Sequence, residues 1–430
     1  MKRKAIEDLI KWKELNNRTP ILITGAKGVG KTYLAYDFAK AFFEYIYYIN
    51  FEREPLLRRL FKSSDKIKTN DMLSEHFHLN SENIKESRIL ILDEINCCIE
   101  AMEIMNAKYL SENFDYIIII SSYPVSNEYS NNILKLPIYP FEFDEFLRAT
   151  SNEWYIELIS THFKTNKKIP DIVHKELLEL HQLYLRIGGM PGIINEYLNL
   201  SSTVNISEQH SFLIGSYHDY ILRDNSDSDA FKMNQVFDSL ILQLMKDNKK
   251  FQYKLIRKGT THSMYKEAIR KLSDLNYIIK CNRISSDHLI EPLKTFENAA
   301  WFDEETDTNF KLYLPDSGLL YSKIVEEYGS SWDLSQNKAL LENYVAQSLQ
   351  AKHYPFAFWE SDSMAKIDFI IYKNKELIPI EIHENSNTRS KSISVLKQKC
   401  DFPYAVKISS KNFELSNQIK YVPYYAIFCI

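Results

Sequence analysis

One segment constrains the fold more than any other: Pro20 to Thr32, PILITGAKGVGKT. A short β-rich run, Ile21 to Thr24, leads into Gly25-Ala26-Lys27-Gly28-Val29-Gly30-Lys31-Thr32, and the helical stretch beginning at Tyr33 follows. This is the phosphate-loop pattern in the strand–loop–helix context it requires. Glycines at 25, 28 and 30 let the backbone curl so that successive N–H groups point at phosphate oxygens. The helix that follows adds its positive N-terminal end. Lys31 is expected to bridge the β- and γ-phosphates, and the Thr32 hydroxyl to ligate Mg²⁺. The chain has ten glycines in all, and three fall within these six positions. Nucleotide binding is therefore expected at residues 25–33, from Gly25 to Tyr33.

A loop of this kind needs acids to hold the metal and activate water. RILILDEI supplies them: Ile89 to Leu92 read as a buried strand that ends in Asp93 and Glu94. Asp93 is expected to hold Mg²⁺ through water, and Glu94 to polarise the attacking water. Two further apolar runs, YIYYIN from Tyr45 and YIIIISS from Tyr116, alternate with helical stretches and predict a parallel α/β sheet. Ser121 or Ser122, at the end of the last run, is then a candidate γ-phosphate sensor.

With 430 residues, the chain exceeds one ordinary core, so several domains are expected. No apolar run approaches the roughly 20 residues that span a bilayer. The start, MKRKAIEDLIKWKEL, reads as an amphipathic helix rather than a signal peptide. Five scattered cysteines form neither a disulfide framework nor a zinc spacing, which favours a reducing cytoplasm. A net charge of -4 excludes coating nucleic acid by bulk charge but permits a local basic patch.

Such a patch exists. Residues 249–283 carry ten Lys or Arg against two acids, Glu267 and Asp274. Met264, Ala268, Leu272 and Leu275 read as one apolar helical stripe, which turns Lys266 and Arg270 outward. Helix, turn, helix and hairpin is the winged-helix order, and a basic exposed helix suits phosphate contacts with duplex DNA. The alternative is an interdomain spacer with solvated charges. Upstream, LYLRIGGMPGI predicts a helix ended at Gly188-Gly189 and another begun at Pro191. Downstream, KIDFIIYKNKELIPIEIHEN reads as two strands joined by a tight turn, carrying Asp368 and Glu381. Two carboxylates on a hairpin can share a metal ion.

In GAKGVGKT, ILILDEI, YPFEFDEFL, RIGGMPGI, KLYLPDSGLL, ALLENYVAQSL and the KIDFII…PIEIH hairpin, the chain resembles a family of bacterial and archaeal AAA-type P-loop ATPases with a C-terminal restriction-endonuclease-like, PD-(D/E)XK-type domain. The resemblance implies an α/β fold class: a P-loop NTPase core with a parallel sheet at 1–150, a helical lid at 151–232, a winged helix at 233–290 and an endonuclease-like α/β domain at 291–430. It implies ATP rather than GTP, and Glu342, Asp368 and Glu381 match the nuclease acids. His383 stands where that motif has lysine, so these residues are expected to be remnants of a lost nuclease site unless Lys397 or Lys399 compensates. Arg186 in the lid and Arg223 beyond it are weaker candidates for reaching phosphate.

The leading expectation is a Mg²⁺-dependent ATPase whose turnover moves the appended domains, with DNA as a possible target and oligomers allowed. The alternatives are a non-hydrolysing nucleotide-gated switch that binds protein or DNA, an ATP-driven nuclease, and a small-molecule kinase that would leave the C-terminal half without purpose.

Overall fold

The computed structural model describes residues 3–15, 19–62, 66–79, 88–105, 113–125, 133–200, 205–289, 309–329, 337–361 and 364–430. The chain divides into two compact units, Met1–Tyr139 and Pro140–Ile430.

The first unit is built on a five-stranded sheet in the order β2-β3-β4-β1-β5. Its strands are β1 (Ile21–Thr24), β2 (Tyr45–Asn50), β3 (Arg88–Asp93), β4 (Tyr116–Ser121) and β5 (Leu134–Pro137), and every pairing is parallel. All six residues of β3 and of β4 are buried. That is why these central strands read as unbroken apolar runs rather than alternating ones. On one face Leu90, Leu92, Ile117 and Ile119 pack with Phe51, Phe61, Leu73 and Phe114. The N-terminal helix α1 (Ile6–Glu14) buries Leu9 and Trp12, and Trp12 meets Phe38 of helix α2 (Lys31–Phe42) at a ring separation of 6.1 Å. Loops at the carboxyl ends of β1, β3 and β4 lie together, the usual place for a ligand in an open parallel sheet.

The second unit begins with helices: Phe143–Ala149, Trp154–Thr165, Asp171–Ile187, Pro191–Leu200, Ile206–Asp224, Asp227–Leu244 and His262–Asp274. As the sequence predicts, the third ends at Gly188, which has φ +80°, and the fourth starts at Pro191. A mixed eight-stranded sheet follows, ordered β12-β13-β11-β10-β9-β8-β6-β7. Its strands are β6 (Ile279–Ile284), β7 (Phe310–Tyr313), β8 (Phe356–Glu360), β9 (Lys366–Lys373), β10 (Glu376–Ile382), β11 (Ala405–Ser409), β12 (Glu414–Ser416) and β13 (Ile419–Pro423). The expected β9–β10 hairpin is present, turning through Asn374 and Lys375 with φ of +52° and +67°. Both central residues being left-handed marks the turn that matches strand twist.

Strand β6, read from sequence as part of a winged-helix hairpin, lies between β7 and β8, antiparallel to the first and parallel to the second. The basic segment is thus continuous with the C-terminal sheet. The helix His262–Asp274 buries Tyr265, Ala268, Ile269 and Leu272. Met264, expected on that stripe, is 40% exposed. The apolar face is centred one residue later, because the ring of Tyr265 fills the site and donates to Gln235.

Four of the motifs meet in one buried polar hub of this unit. Asp316 of LPDSGLL accepts from the Gly189 N–H at 2.6 Å and from Gly318 and Leu319 at the next helix start. Gly189 O accepts from Phe141 N, Tyr184 donates to Phe141 O, and Gln347 joins Tyr184 to the Ser317 N–H. Glu142 accepts from Ser348. These motifs satisfy buried backbone groups at helix ends, a structural duty.

Candidate functional site

The phosphate loop curls as its glycines require. Gly25, Gly28 and Gly30 have φ of +144°, +91° and +89°. At Gly25 a Cβ would lie 2.2 Å from the carbonyl oxygen of Ile138, so no other residue fits. The side chains of Ala26 and Val29 face inward, Lys27 is half-buried and Tyr33 is exposed. Lys31, only 6% exposed, folds its ammonium back onto the loop, donating to Gly25 O at 2.8 Å and Ala26 O at 3.1 Å. Burial lowers its pKa to about 8, although Glu94 and Asp93 pull the other way.

The acids stand opposite. Strand β3 is separated from β1 by β4, and its end carries Asp93, which is 2% exposed. Thr32 Oγ1 donates to Asp93 Oδ2 at 2.8 Å, while the Glu94 N–H donates to Oδ1. The hydroxyl and carboxylate expected to share Mg²⁺ are therefore already adjacent, and these hard oxygens fit that ion. Glu94 adopts a left-handed backbone (φ 51°, ψ 52°), and its Oε1 accepts from Ser122 Oγ at 2.7 Å. The two sensor candidates thus separate. Ser122 touches the acid, whereas the buried Ser121 turns back to Tyr123 O.

Sequence reasoning missed two residues here. Tyr48 donates to Asp93 Oδ2 at 2.8 Å from the neighbouring strand β2. Arg3, buried, donates to Val29 O and Tyr139 O, bracing the loop from the chain start. Tyr48 carried a faint signal, since a polar Asn50 two residues on marks the same strand face. Arg3 carried none.

In the second unit the nuclease-like acids do not assemble a metal centre. Glu342 is 2% exposed and surrounded by cations: Lys249 and Lys311 at 3.3 Å and Lys338 at 3.9 Å, with the Tyr313 hydroxyl at 3.2 Å. Burial alone would raise its pKa, but Lys311, Lys249 and Lys338 outweigh it and hold the carboxyl at about 2. Asp368 meets the same Lys338 at 3.2 Å and accepts from the Ile382 N–H. A cavity of about 150 Å³ opens beside them, lined by Lys249, Lys311, Lys338, Lys366, Glu342 and Asp368. Ammonium groups lie where a cation would have to sit. Among the described residues no group of three His, Cys, Asp or Glu is placed to hold a metal.

Glu381 is engaged elsewhere, accepting from Ser390 at 2.7 Å with Lys407 at 3.3 Å and His383 at 3.5 Å. Burial opposes ionisation there, yet the approach of His383, Ser390 and Lys407 keeps its pKa below the usual range. A lysine does stand beside Glu381, but it is Lys407, in register with Glu381 on the adjacent parallel strand. Neither compensating lysine read from sequence is that neighbour: Lys397 donates to Gln418, and Lys399 is not among the cations at Glu381.

On the basic helix Lys266 is exposed. Arg270 is tied into its own helix, with Glu267 at 2.6 Å and Asp274 at 2.7 Å. Arg186 is exposed, and Arg223 lies 4.2 Å from the Tyr220 ring centroid. No helix among the described residues is long and apolar enough to cross a membrane.

Residues 17–147 match the model of an AAA domain, and residues 178–327 and 337–427 match two domains of unknown function, DUF8612 and DUF4143. Among solved structures, a Walker-type ATPase of Pyrococcus abyssi is 14% identical, with 74% of this chain and 94% of that one covered and a TM-score of 0.41. A Signal Transduction ATPase with Numerous Domains protein with a tetratricopeptide repeat sensor, from Pyrococcus horikoshii, is 15% identical, with 82% of this chain and 45% of that one covered and a TM-score of 0.27. This chain thus spans less than half the length of the second. The search of curated proteins found no match.

Proposed function

We propose that this chain, whose first unit carries an AAA-type P-loop domain, is a Mg²⁺-dependent ATPase that uses nucleotide turnover to reposition its second unit. The observation that carries the reading is the contact of Thr32 with Asp93 at 2.8 Å, flanked by the buried Lys31 and by Glu94. In this reading phosphate oxygens replace the loop carbonyls as acceptors for the Lys31 ammonium. The backbone amides of residues 25–32 and the start of α2 add further donors. Thr32 and Asp93 hold Mg²⁺, which supplies neutralisation of the phosphate charge. Glu94 orients the attacking water and takes its proton, and Ser122 fixes the rotamer of Glu94.

The second unit acts in this proposal as the moved element, with its lysine-filled acid cluster as scaffold. Duplex DNA is proposed as its target on the strength of the exposed Lys266 and the basic segment around it. A second reading, a nucleotide-gated switch, is favoured by one contact: the hydrogen bond from Ser122 occupies Glu94 Oε1, one of the two oxygens that could take a proton from water. ATP turnover with Mg²⁺, with and without duplex DNA, separates them. The ATPase reading expects turnover that Glu94→Gln abolishes while nucleotide still binds. Tight binding without turnover in the wild type overturns it in favour of the switch.

A further inference from the structure

The carboxylate of Asp93 receives a third donor that no step above uses. Tyr48 Oη donates to Asp93 Oδ2 at 2.8 Å, the same oxygen that Thr32 reaches. We infer that Tyr48 is a positioning residue of the magnesium site, fixing the Asp93 carboxylate for the cation and tying it to the turn after β2. The inference rests on the ATPase reading and deepens it.

Three observations carry it. Thr32 has two duties when Mg²⁺ binds, because its oxygen must offer a lone pair to the cation. Tyr48 has one, and its hydroxyl remains a donor to Oδ2 throughout. Tyr48 stands on β2, whose parallel register with β3 sets the reach of its hydroxyl to Asp93 through the strand backbone. The ring is also held in place. Tyr36 of α2 lies against it at 5.1 Å between centroids, and Asn50 Nδ2 donates to the hydroxyl at 3.2 Å.

Asn50 extends the linkage. It pairs with Asp93 across the β2–β3 register, and its Oδ1 accepts from the N–H groups of Glu52 and Arg53 at 3.0 and 2.9 Å. A continuous hydrogen-bonded path therefore runs from the backbone turn at 52–53 through Asn50 and Tyr48 to the metal-binding oxygen. A displacement of that turn acts on Asp93 through two side chains, Asn50 and Tyr48, without touching the phosphate loop.

The test is a Mg²⁺ titration of a fluorescent ATP analogue bound to the full chain, comparing wild type, Tyr48→Phe and Tyr47→Phe. Tyr47 is the control, because its ring packs on Phe77 and Phe114 on the other face of the strand. Loss of one hydrogen bond to a charged acceptor is expected to raise the half-saturating Mg²⁺ concentration about tenfold in Tyr48→Phe. Analogue affinity in EDTA should stay at the wild-type value, and Tyr47→Phe should leave the Mg²⁺ dependence unchanged. A wild-type Mg²⁺ curve in Tyr48→Phe overturns the inference alone. A wild type that binds no analogue at any Mg²⁺ concentration overturns the ATPase reading, and the inference with it.

Discussion

Glu342→Gln is the substitution whose consequence the structure fixes most closely. The carboxylate is 2% exposed, with Lys249 and Lys311 at 3.3 Å, and those lysines are themselves nearly buried, at 8% and 10% side-chain exposure. Against the desolvation of burial, Lys311, Lys249 and Lys338 hold the carboxyl well below the usual carboxylate range, so folding favours its charged form. Breaking a buried ion pair by removing one partner costs about 3–5 kcal/mol. The variant should therefore lose about 3 kcal/mol of stability in the second unit at neutral pH.

The sign with pH follows from the depressed value. The Glu342 contribution is fully present above pH 4.5 and disappears as pH falls toward about 2. The gap between wild type and variant, read by urea denaturation of the second unit at pH 7 and again near pH 3, should narrow on acidification. A variant within about 1 kcal/mol of wild type at pH 7 would refute the argument, because it would mean that desolvation cancels the whole lysine network. A Mg²⁺-dependent cleavage of nucleic acid, abolished by the same substitution, would refute the scaffold role instead.

Other expectations are simpler. Nucleotide binding to a lysine of pKa about 8 takes up a proton above that pH, so affinity should weaken as pH rises past 8, and calorimetry in buffers of different ionisation heat should register the uptake. Asp316 has its pKa raised by burial to about 6 against three backbone N–H donors that lower it. Its contribution is present below pH 3.8 and lost as pH rises through about 6, so Asp316→Asn should flatten that part of the stability profile measured by denaturation. At Gly189, where a Cβ would meet Phe141 O at 2.3 Å, Gly189→Ala should destabilise by about 2 kcal/mol or more, or yield insoluble protein on expression. Arg270→Ala should change stability by less than about 1 kcal/mol, since its partners are on the surface of the same helix, as thermal melts can check.

The nucleotide site was legible because phosphate chemistry demands fixed residue types at fixed spacing along one loop and one strand end. Gly25 through Thr32 and Asp93 could be read without knowing where anything else lies. Tyr48, Arg3 and Lys407 could not, because their roles arise from strand register and contacts across tens to more than a hundred residues. The same limit applies to the acid cluster. Motif spacing brings Glu342, Asp368 and Glu381 into view, but only the fold shows lysines from β7 and from the segment at 249 crowding Glu342 and Asp368, with Glu381 engaged apart from them. Helical periodicity in the basic segment was one residue off at Met264, since Tyr265 is amphipathic enough to read as surface while its ring serves the core.

The placement of β6 between β7 and β8 decides how this protein can be dissected. A chain divided near residue 290 strips β8 of its neighbour on one side and leaves Phe358 and Trp359, both buried, on an open strand edge. Such an edge is a template for pairing with other chains. The C-terminal fragment should aggregate rather than report its own chemistry, so a nuclease assay on residues 291–430 alone would return inactivity whatever the native site can do. The smallest piece on which the acid cluster can be judged is the unit beginning at Pro140.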